Sequence, residues 1–420
     1  MADPALPAVV VGIDSPIGLT IVRDLGQDGI PVIGIGRGEH ALGMASRYLE
    51  RGLVRPRDGA GMIEQLAQLG AELGRACLFA VSENDIALLN RHRDRLTNYT
   101  IMFADEARMD SVLNKDRTYL AAAAVGVRTP RMVQPASLDE VDQASRELRF
   151  PVVLKWANPQ EVNARLHVAG LGMDKTRYCQ TPAELLAYLR PYEKAGIYPL
   201  IQEYCAGYGL GQFILMKDGE AHYTFQHRRV HEWPPEGGFS SMCESLPDDA
   251  HQALMARSIA LLRELRWEGI AMVEYRHDPQ TGESALMEIN GRFWGSLPLA
   301  WHAGARFPSM MYRLFGRQEA LARRPYRAGV RCRYMIPETR RLLRILFAQH
   351  KIADKSLRFH RLPELAGYLL DFIRPGSRYY VFAFADPRPF FSDLGQMLGK
   401  ATGMVTRRLP RLRRPLAPEK

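Results

Sequence analysis

The stretch that decides the fold is Met287–Arg292 (MEINGR), together with the upstream Val273-Glu274-Tyr275. Side chains alternate between the two faces of a strand, so Glu288 and Asn290 point the same way. The turn signal DPQTG at residues 278–282 separates two apolar runs, which predicts an antiparallel hairpin. This hairpin would bring the upstream glutamate to the sheet face that carries Glu288 and Asn290.

Two carboxylates and an amide oxygen on one face predict a site for a hard cation. Mg²⁺ is usually held by one or two carboxylates together with substrate phosphates, so it is the natural candidate, with Mn²⁺ as a substitute. The alternative is a solvated polar strand face, which alternation alone would favour. Arg292 continues the same period-two face beyond Asn290. A carboxylate, an amide and a guanidinium at alternate positions of one strand favour the cation site over an ordinary polar face.

The first 112 residues predict a doubly wound α/β domain. Apolar runs typical of a buried parallel sheet alternate with turns and helical spacing: Ala8–Val11, Gly29–Ile35 and Cys77–Val81. Ser82 and Glu83 follow the third run, where the carboxyl end of a strand faces a crevice. Gly12 and Gly18 lack the GxGxxG spacing. A tight strand-to-helix turn is therefore favoured over a dinucleotide loop, which would indicate an oxidoreductase.

Residues 113–325 predict an α+β region with several antiparallel hairpins. Lys115 opens a helix, where an ordinary surface lysine is the simplest interpretation. Lys155 lies inside an otherwise apolar strand, so it either reaches an anion in a cleft or snorkels at a sheet edge. A metal–nucleotide complex is one ligand that would explain both lysines and both glutamates.

The polar, aromatic segment at residues 227–241 predicts a substrate-facing loop. Arg228 and Arg229 could hold a carboxylate or phosphate by their planar forks. Glycine at position 237 and Gly238 would let backbone amides approach an anion. The alternative is an exposed hairpin loop with incidental charges.

The order of these residues resembles the ATP-grasp superfamily. The motifs that carry the resemblance are Lys115, PVVLK ending at Lys155, QEY at residues 202–204, Glu274 and EINGR at residues 288–292. Within the superfamily, the chain is similar to the carboxylate–amine ligase-like branch related to biotin carboxylase and carbamoyl-phosphate synthetase. The resemblance covers roughly residues 8–315.

The resemblance implies a ligase that activates a carboxylate with ATP as an acyl phosphate. An amine then captures the acyl group, and ADP and phosphate are released. By this resemblance, Lys115 and Lys155 would contact the ATP phosphates, and the backbone of Glu203 and Cys205 would contact adenine, with Gln202 beside them. Glu274, Glu288 and Asn290 would bind Mg²⁺. Arg292 would stabilise the acyl phosphate and the oxyanion. Ser82 and Glu83 would face the acceptor or donor.

One departure from the family pattern motivates a second function. Many members carry a glycine-rich lid over the phosphates, whereas the corresponding stretch Ala157–Gly172 has glycine only at positions 170 and 172. This difference leaves open an ATP-binding regulator or scaffold that does not turn over ATP.

Composition and charge limit the classes of protein that fit. The chain has 420 residues, of which 46% are hydrophobic and 24% charged, and its five cysteines are scattered. These values favour a globular cytoplasmic protein with reduced thiols. Small-molecule carboxylate and amine substrates are what the resemblance implies. No stretch approaches the roughly 20 apolar residues of a spanning helix, and no signal peptide is expected.

The positive charge is concentrated at the C-terminal end. Residues 331–420 contain 19 Lys and Arg against 7 Asp and Glu, whereas the whole chain carries a net charge of +10. The first 330 residues are therefore close to neutral, and no nucleic-acid partner is expected. We expect a basic, largely helical extension over residues 326–420, which ends in RRLPRLRR at residues 407–414. It is either a small helical domain packed on the catalytic body, with a solvated tail, or a peripheral contact with the anionic inner membrane surface.

Overall fold

The computed structural model describes residues 6–156, 159–174, 176–322, 324–354 and 357–397. Part of the predicted lid stretch (Ala157 and Asn158) and the basic tail at residues 407–414 lie outside the described residues. The chain forms two compact units, one of residues up to 100 together with those from 381 onward, and one of residues 101–380.

The first unit is built on a parallel sheet of five strands. These strands are β1 (Ala8–Val11), β2 (Val32–Gly36), β3 (Arg51–Val54), β4 (Ala76–Ala80) and β5 (Tyr99–Ile101), in the order β3-β2-β1-β4-β5. The helices α1 (Pro16–Gln27), α2 (Gly59–Leu73) and α3 (Glu83–Arg91) alternate with them. Strands β1, β2 and β4 are fully buried because nearly every residue in them is apolar or glycine. The predicted doubly wound α/β domain is confirmed.

The glycine-containing turn after β1 is a close approach of two backbones. A Cβ atom at Gly18 would lie 2.3 Å from the carbonyl oxygen of Gly12, so no side chain fits there. Ser15 caps α1 by accepting a hydrogen bond from the Gly18 amide at 3.3 Å. The tight turn favoured by the sequence accounts for both glycines.

The second unit contains a small antiparallel sheet of four strands. These strands are β6 (Met132–Val133), β7 (Val152–Lys155), β8 (Thr176–Cys179) and β9 (Leu200–Glu203), in the order β6-β9-β7-β8. The nearby helices are α4 (Glu106–Leu113), α5 (Lys115–Ala124), α6 (Leu138–Glu147), α7 (Pro159–Val168) and α8 (Pro182–Leu189). Apolar residues of the sheet and helices, among them Val141, Leu154, Leu185 and Ile201, form a separate core.

A second sheet of seven strands forms the rest of this unit. Its strands are β10 (Tyr208–Lys217), β11 (Glu220–Trp233), β12 (Phe239–Ser245), β13 (Gly269–His277), β14 (Ser284–Asn290), β15 (Arg331–Arg333) and β16 (Ser377–Tyr379), in the order β14-β13-β10-β11-β12-β15-β16. The helices are α9 (Gln252–Glu264), α10 (Leu297–Ala303), α11 (Phe307–Met311), α12 (Met335–Phe347) and α13 (Arg361–Leu370). Both predicted hairpins, β10–β11 and β13–β14, are present.

The structure corrects the prediction of a loop at residues 227–241. Most of this segment belongs to β11 and β12, which pair antiparallel, and only a short turn joins them. His227 is buried in the middle of the sheet. The polar character of the segment misled the prediction because its charged side chains pair with one another inside the sheet.

The C-terminal part, expected to be largely helical from residue 326 onward, contains helices and also two short strands. Residues 331–333 and 377–379 add two strands to the seven-stranded sheet, with α12 and α13 between them. Residues from 381 onward belong to the first unit. Among the described residues, no helix has both the length and the apolar character required to cross a membrane.

Candidate functional site

A cavity of about 600 Å³ lies in the second unit, with walls from both of its sheets. The four-stranded sheet contributes residues of β7 and β9, and the seven-stranded sheet contributes residues of β11, β13 and β14. Lys115, at the first position of α5, completes one side. The cavity thus brings together Lys115, Lys155, Glu274 and Glu288, which are far apart in the sequence.

Lys155 lies at the end of β7 on the cavity face with Val153, whereas Val152 and Leu154 of the same strand point into the apolar core of the small sheet. Its Nζ donates a hydrogen bond of 3.2 Å to Oε1 of Gln202, a buried residue of the neighbouring strand β9. Burial lowers the pKa of Lys155, and the nearby positive charge of Lys115 lowers it further. Its hydrogen-bond partner is a neutral amide, so this lysine is ready to receive an anion in the cavity.

The end of β9 presents backbone groups to the same cavity. The side chain of Glu203 turns away from a ligand role, because its carboxylate accepts a hydrogen bond of 3.0 Å from the amide of Arg149. The carbonyl oxygen of Glu203 makes only a long contact of 4.0 Å with the Cys205 thiol. This carbonyl and the backbone at Cys205 are therefore suited to the edge of a planar base, as the resemblance implies.

The proposed metal ligands lie on the edge hairpin of the large sheet. Glu274 of β13 stands directly opposite Glu288 of β14, where a β-bulge between Glu274 and Tyr275 shifts the register by one residue. The amide nitrogen of Asn290 donates a hydrogen bond of 2.9 Å to Oε1 of Glu288, and its amide oxygen remains an acceptor. Two carboxylates and one amide oxygen fit a Mg²⁺ ion that takes its other ligands from phosphates and water. Within the described ranges, no group of three or more His, Cys, Asp and Glu side chains could hold a metal.

An ion-pair chain runs from Glu274 across the wall of the cavity. Arg229 of β11 donates a hydrogen bond to Glu274, contacts Glu232 at 3.2 Å and donates to the carbonyl oxygen of Gly238 at 2.8 Å. Arg276 of β13 contacts the other oxygen of Glu232 at 2.7 Å. Each of these four charged side chains is at most about one fifth exposed, so screening by solvent is weak.

The environment of the Arg229–Glu274 pair affects the pKa of each partner for a different reason. Burial alone would lower the pKa of Arg229, but Glu274 and Glu232 outweigh it and raise the pKa. Burial raises the pKa of Glu274, and Glu288 adds to this rise, so Arg229 does not fully compensate it. Glu274 and Glu288 therefore stand side by side as like charges, with Arg229 on the side of Glu274 and Lys155 near Glu288.

His227 is a buried residue of β11 behind the cavity wall, and the sequence gave it no role. The strand registers place His227, Gly211, Glu274 and Glu288 in one row across four strands. Among the described contacts, neither ring nitrogen of His227 has a hydrogen-bond partner, and burial lowers its pKa to about 3. A signal was present in the sequence, since alternate glycines at 209 and 211 leave room above β10 for side chains of the neighbouring strands.

A second missed cluster joins β11 to α12. Glu338 is buried and accepts hydrogen bonds of 2.6 Å from both His231 Nδ1 and Ser241 Oγ. Burial acts to raise the pKa of Glu338, but these two partners outweigh it and lower the pKa. His231 lines the cavity, whereas Glu338 lies behind it.

Three further residues predicted for the substrate, Arg228, Ser82 and Glu83, stay predictions, and the structure gives the local setting of each. Arg228 projects from the opposite face of β11 to Arg229 and pairs with Glu244 at 2.9 Å. Ser82 and Glu83 begin α3 in the first unit, where Ser82 caps the helix through the amide of Asp85. None of these side chains belongs to the described lining of the cavity in the second unit.

Arg292 follows β14 and is half-buried. Its Nη1 donates a hydrogen bond of 3.2 Å to the carbonyl oxygen of the next residue, Phe293. It is not among the described residues that line the cavity.

Gly238 lines the cavity, and its close approach to Trp233 excludes a side chain there, since a Cβ atom would lie 2.2 Å from the Trp233 carbonyl oxygen.

The fold of this chain matches known protein structures, although its sequence matches no known family model. No protein-family model matches the sequence, and no curated protein sequence matches it. Solved structures do match the fold. The biotin carboxylase domain of 2-oxoglutarate carboxylase from Hydrogenobacter thermophilus, in complex with MgADP, ADP and bicarbonate, has a TM-score of 0.60 at 15% identity, over 78% of this chain and 74% of that one.

Two ligase structures give similar values. L-amino acid ligase from Bacillus licheniformis has a TM-score of 0.54 at 14% identity, over 74% of this chain and 75% of that one. Carboxyaminoimidazole ribonucleotide synthetase, solved as an ADP complex, has a TM-score of 0.56 at 13% identity, over 79% of this chain and 82% of that one. The chain has the ATP-grasp fold, as the sequence motifs predicted.

Proposed function

We propose that the protein is an ATP- and Mg²⁺-dependent ligase that activates a carboxylate as an acyl phosphate and joins it to an amine. The observation that carries the proposal is the cavity in which two lysines from one side meet two opposed glutamates from the other. The ATP-grasp fold supports it, because the similar structures include an L-amino acid ligase, a biotin carboxylase domain solved with MgADP and a ribonucleotide synthetase solved with ADP.

The small sheet would bind the nucleotide. Lys155 and Lys115 provide the positive charge for phosphate oxygens, and Gln202 holds the Lys155 ammonium in place through its amide oxygen. The carbonyl of Glu203 and the amide of Cys205 would contact the two kinds of hydrogen-bonding group on the edge of adenine. The apolar core beneath β7 and β9 keeps this platform rigid.

The edge hairpin of the large sheet would hold the cation through Glu274, Glu288 and Asn290. A bound Mg²⁺ would neutralise charge on the β- and γ-phosphates. If the cation engaged Glu274, Nη2 of Arg229 would become available to an anionic reactant in the cavity, while Nη1 stays held by Glu232 and the Gly238 carbonyl oxygen. We propose that Arg229 and Arg292 stabilise the acyl phosphate and the oxyanion formed when the amine attacks.

The Arg229–Glu274 pair also favours a second candidate, an ATP-binding regulator without turnover. The pair already satisfies one proposed metal ligand, so a chain in which it persists would bind nucleotide without completing the metal site. The dinucleotide oxidoreductase receives no such support, since the Gly12–Gly18 turn is explained by backbone packing.

Release of ADP and phosphate, measured with Mg²⁺ against pools of amino acids and small carboxylates, tests the proposal. Hydroxylamine added to the same reactions should trap an acyl phosphate as a hydroxamate. We expect Glu288→Ala to lose the stimulated release by at least a hundredfold. Glu283→Ala is the matched control, because Glu283 lies on the same hairpin but pairs with Arg128 outside the cavity wall.

The possible results separate the two candidates. Stimulated release that Glu288→Ala loses and Glu283→Ala keeps supports the ligase. ATP binding without release from any pool supports the regulator. A chain that does not bind ATP excludes both functions.

A further inference from the structure

Helix α13 and the turn that follows it carry an apolar stripe on the outside of the second unit. Leu362, Ala366, Leu369 and Ile373 recur at helical spacing and are exposed, with Leu362 and Ile373 each nearly four fifths exposed. Helices of globular proteins normally bury such a stripe. We call the exposed surface of residues 361–374 the α13 face.

The opposite side of α13 is held firmly by the rest of the unit. Glu364 pairs with Arg341 of α12 at 2.8 Å, and the Tyr368 hydroxyl lies 2.8 Å from the Thr339 hydroxyl. Arg333 of β15 stacks over the Tyr368 ring and donates a hydrogen bond to the Tyr368 carbonyl at 3.1 Å. These contacts fix the rotation of the helix, so its apolar stripe is presented outward by the fold.

The charges around the stripe are sorted by sign. The exposed charged side chains of this region are basic: Lys351, Arg358, Arg361 and Arg374. The acidic side chains between positions 351 and 378 do not lie on this surface. Asp354 and Asp371 are buried, and Glu364 pairs with Arg341. The outward surface therefore combines large apolar side chains with positive charge and has little exposed acid.

A cavity of about 530 Å³ opens beside α13. Its wall includes the basic residues Arg331, Arg358 and Arg374 together with Glu364 and Asp371. Both acids already pair with arginines, Glu364 with Arg341 and Asp371 with Arg331 and Arg374, whereas Arg358 is exposed at the rim of the α13 face. His231 lines this cavity and also the candidate active site. The α13 face is therefore close to the chemistry of the same unit.

We propose that the α13 face docks on an anionic lipid bilayer. An interfacial helix places its apolar side chains at the boundary of the acyl chains while Lys and Arg side chains meet the lipid headgroups. Each basic residue near an anionic surface adds to the attraction, which salt weakens. This docking surface is independent of the proposed ligase reaction.

Sedimentation of the full-length protein with vesicles tests the proposal. Vesicles of equal parts phosphatidylglycerol and phosphatidylcholine are compared with pure phosphatidylcholine, at low salt and at half-molar NaCl. We expect at least tenfold stronger binding to the anionic vesicles and a loss of most binding at high salt. The variant Leu369→Glu/Ile373→Glu should bind at least tenfold more weakly than the unmodified protein.

A matched variant controls for the added charge. Leu120→Glu/Val168→Glu changes two similarly exposed apolar residues on α5 and α7 and should bind within about twofold of the unmodified protein. Circular dichroism and thermal melting must show that both variants fold. A third variant, in which the five arginines of residues 407–414 become glutamine, separates the α13 face from the basic tail.

Three results would overturn the proposal. One is that the unmodified protein does not sediment with anionic vesicles. Another is that the tail variant loses binding while the α13 variant keeps it, which would assign the contact to the tail. The third is a dimer in size-exclusion chromatography that the α13 variant converts to monomer without a change in vesicle binding, which would make the face an interface between two copies of the chain.

Discussion

Each of the two units contains a buried arginine–carboxylate pair, and the two pairs differ in how completely their hydrogen bonds are satisfied. In the first unit Arg23 pairs with Asp386, and both side chains are about 1% exposed. In the second unit Arg229 pairs with Glu274, and both are about 12% exposed. Burial of either pair requires compensation, because charges removed from water need hydrogen bonds as well as an opposite charge.

The Arg23–Asp386 pair is fully satisfied. Asp386 accepts hydrogen bonds from Arg23 Nε at 3.0 Å, from Ser46 Oγ at 2.7 Å and from the Arg47 amide at 3.0 Å. The Asp386 carbonyl also accepts from Arg23 Nη2 at 2.7 Å. This closed set ties the segment that starts at residue 381 to the first unit, and it has no surplus charge to offer a ligand.

The Arg229–Glu274 pair is incomplete by comparison. Arg229 is shared between two glutamates, and Glu274 stands opposite Glu288 on the wall of a cavity. A cation would relieve the repulsion between Glu274 and Glu288, which no protein contact does fully. The difference between the two pairs indicates that completeness of the hydrogen-bond set, rather than burial, separates a structural ion pair from a binding site.

Removal of Asp386 should have the largest effect on stability. Asp386→Ala leaves the buried Arg23 guanidinium without its counter-charge, so we expect the free energy of unfolding to fall by about 3–5 kcal/mol. Urea denaturation followed by circular dichroism measures this change. Asp94→Ala, at an exposed position of the same unit, is the control. A loss below about 1 kcal/mol for Asp386→Ala would contradict the structural role of the pair.

Removal of Arg229 should have a smaller effect that a cation can reverse. Arg229→Met leaves Glu274 and Glu288 uncompensated, and we expect a loss of about 3 kcal/mol. Millimolar Mg²⁺ should restore about 1 kcal/mol or more in this variant, because the cation replaces the lost positive charge. The same Mg²⁺ should not stabilise Asp386→Ala. Equal recovery in both variants would remove the distinction between the two pairs.

Protonation of His227 should produce a still smaller effect that depends on pH. Burial, and then the charge of Arg229, lowers the pKa of His227 to about 3 in the folded protein. Below the ordinary histidine pKa of about 6.5, the unfolded chain binds a proton that the folded chain does not. Stability is therefore lost as pH falls from about 6.5 toward 3, at about 1.4 kcal/mol per pH unit in the steep part.

Denaturation between pH 6 and pH 5 tests this dependence. His227→Leu should reduce the change in unfolding free energy across that interval by about 1 kcal/mol. His222→Leu, at an exposed position of the same strand, should leave it unchanged. If both variants keep the full pH dependence of the unmodified protein, His227 is not the buried neutral base that the structure indicates.

The sequence predicted the edge hairpin because short-range rules determine it. The turn at residues 278–282 sets the register as far as Tyr275, which pairs with Leu286. An unbroken register would then pair Glu274 with Met287, so the β-bulge between Glu274 and Tyr275, which the sequence did not predict, is what places Glu274 opposite Glu288. The nucleotide-side residues Lys155 and Gln202 also met as the motifs implied. The hairpin between β13 and β14 depends on one turn. The contact between Lys155 and Gln202 depends on a strand order that the family resemblance implies.

The Arg229–Glu274 pair could not be predicted in the same way. These residues lie on β11 and β13, which are separated by β10, so their contact depends on two registers and on the absence of side chains between them. Gly209 makes the crossing possible, since a Cβ atom there would lie 2.5 Å from Arg229. Likewise, β15 and β16 have three residues each and are too short to show a period of two.

The smallest effect is expected where an ion pair is exposed. Arg51 and Glu72 of the first unit lie 2.6 Å apart, closer than Arg23 and Asp386, but about half of each side chain is exposed. Solvent screening and side-chain entropy then cancel most of the attraction, so Glu72→Ala should cost less than about 0.5 kcal/mol in urea denaturation. A loss as large as that of Asp386→Ala would mean that distance, rather than burial and hydrogen bonding, decides the strength of these pairs.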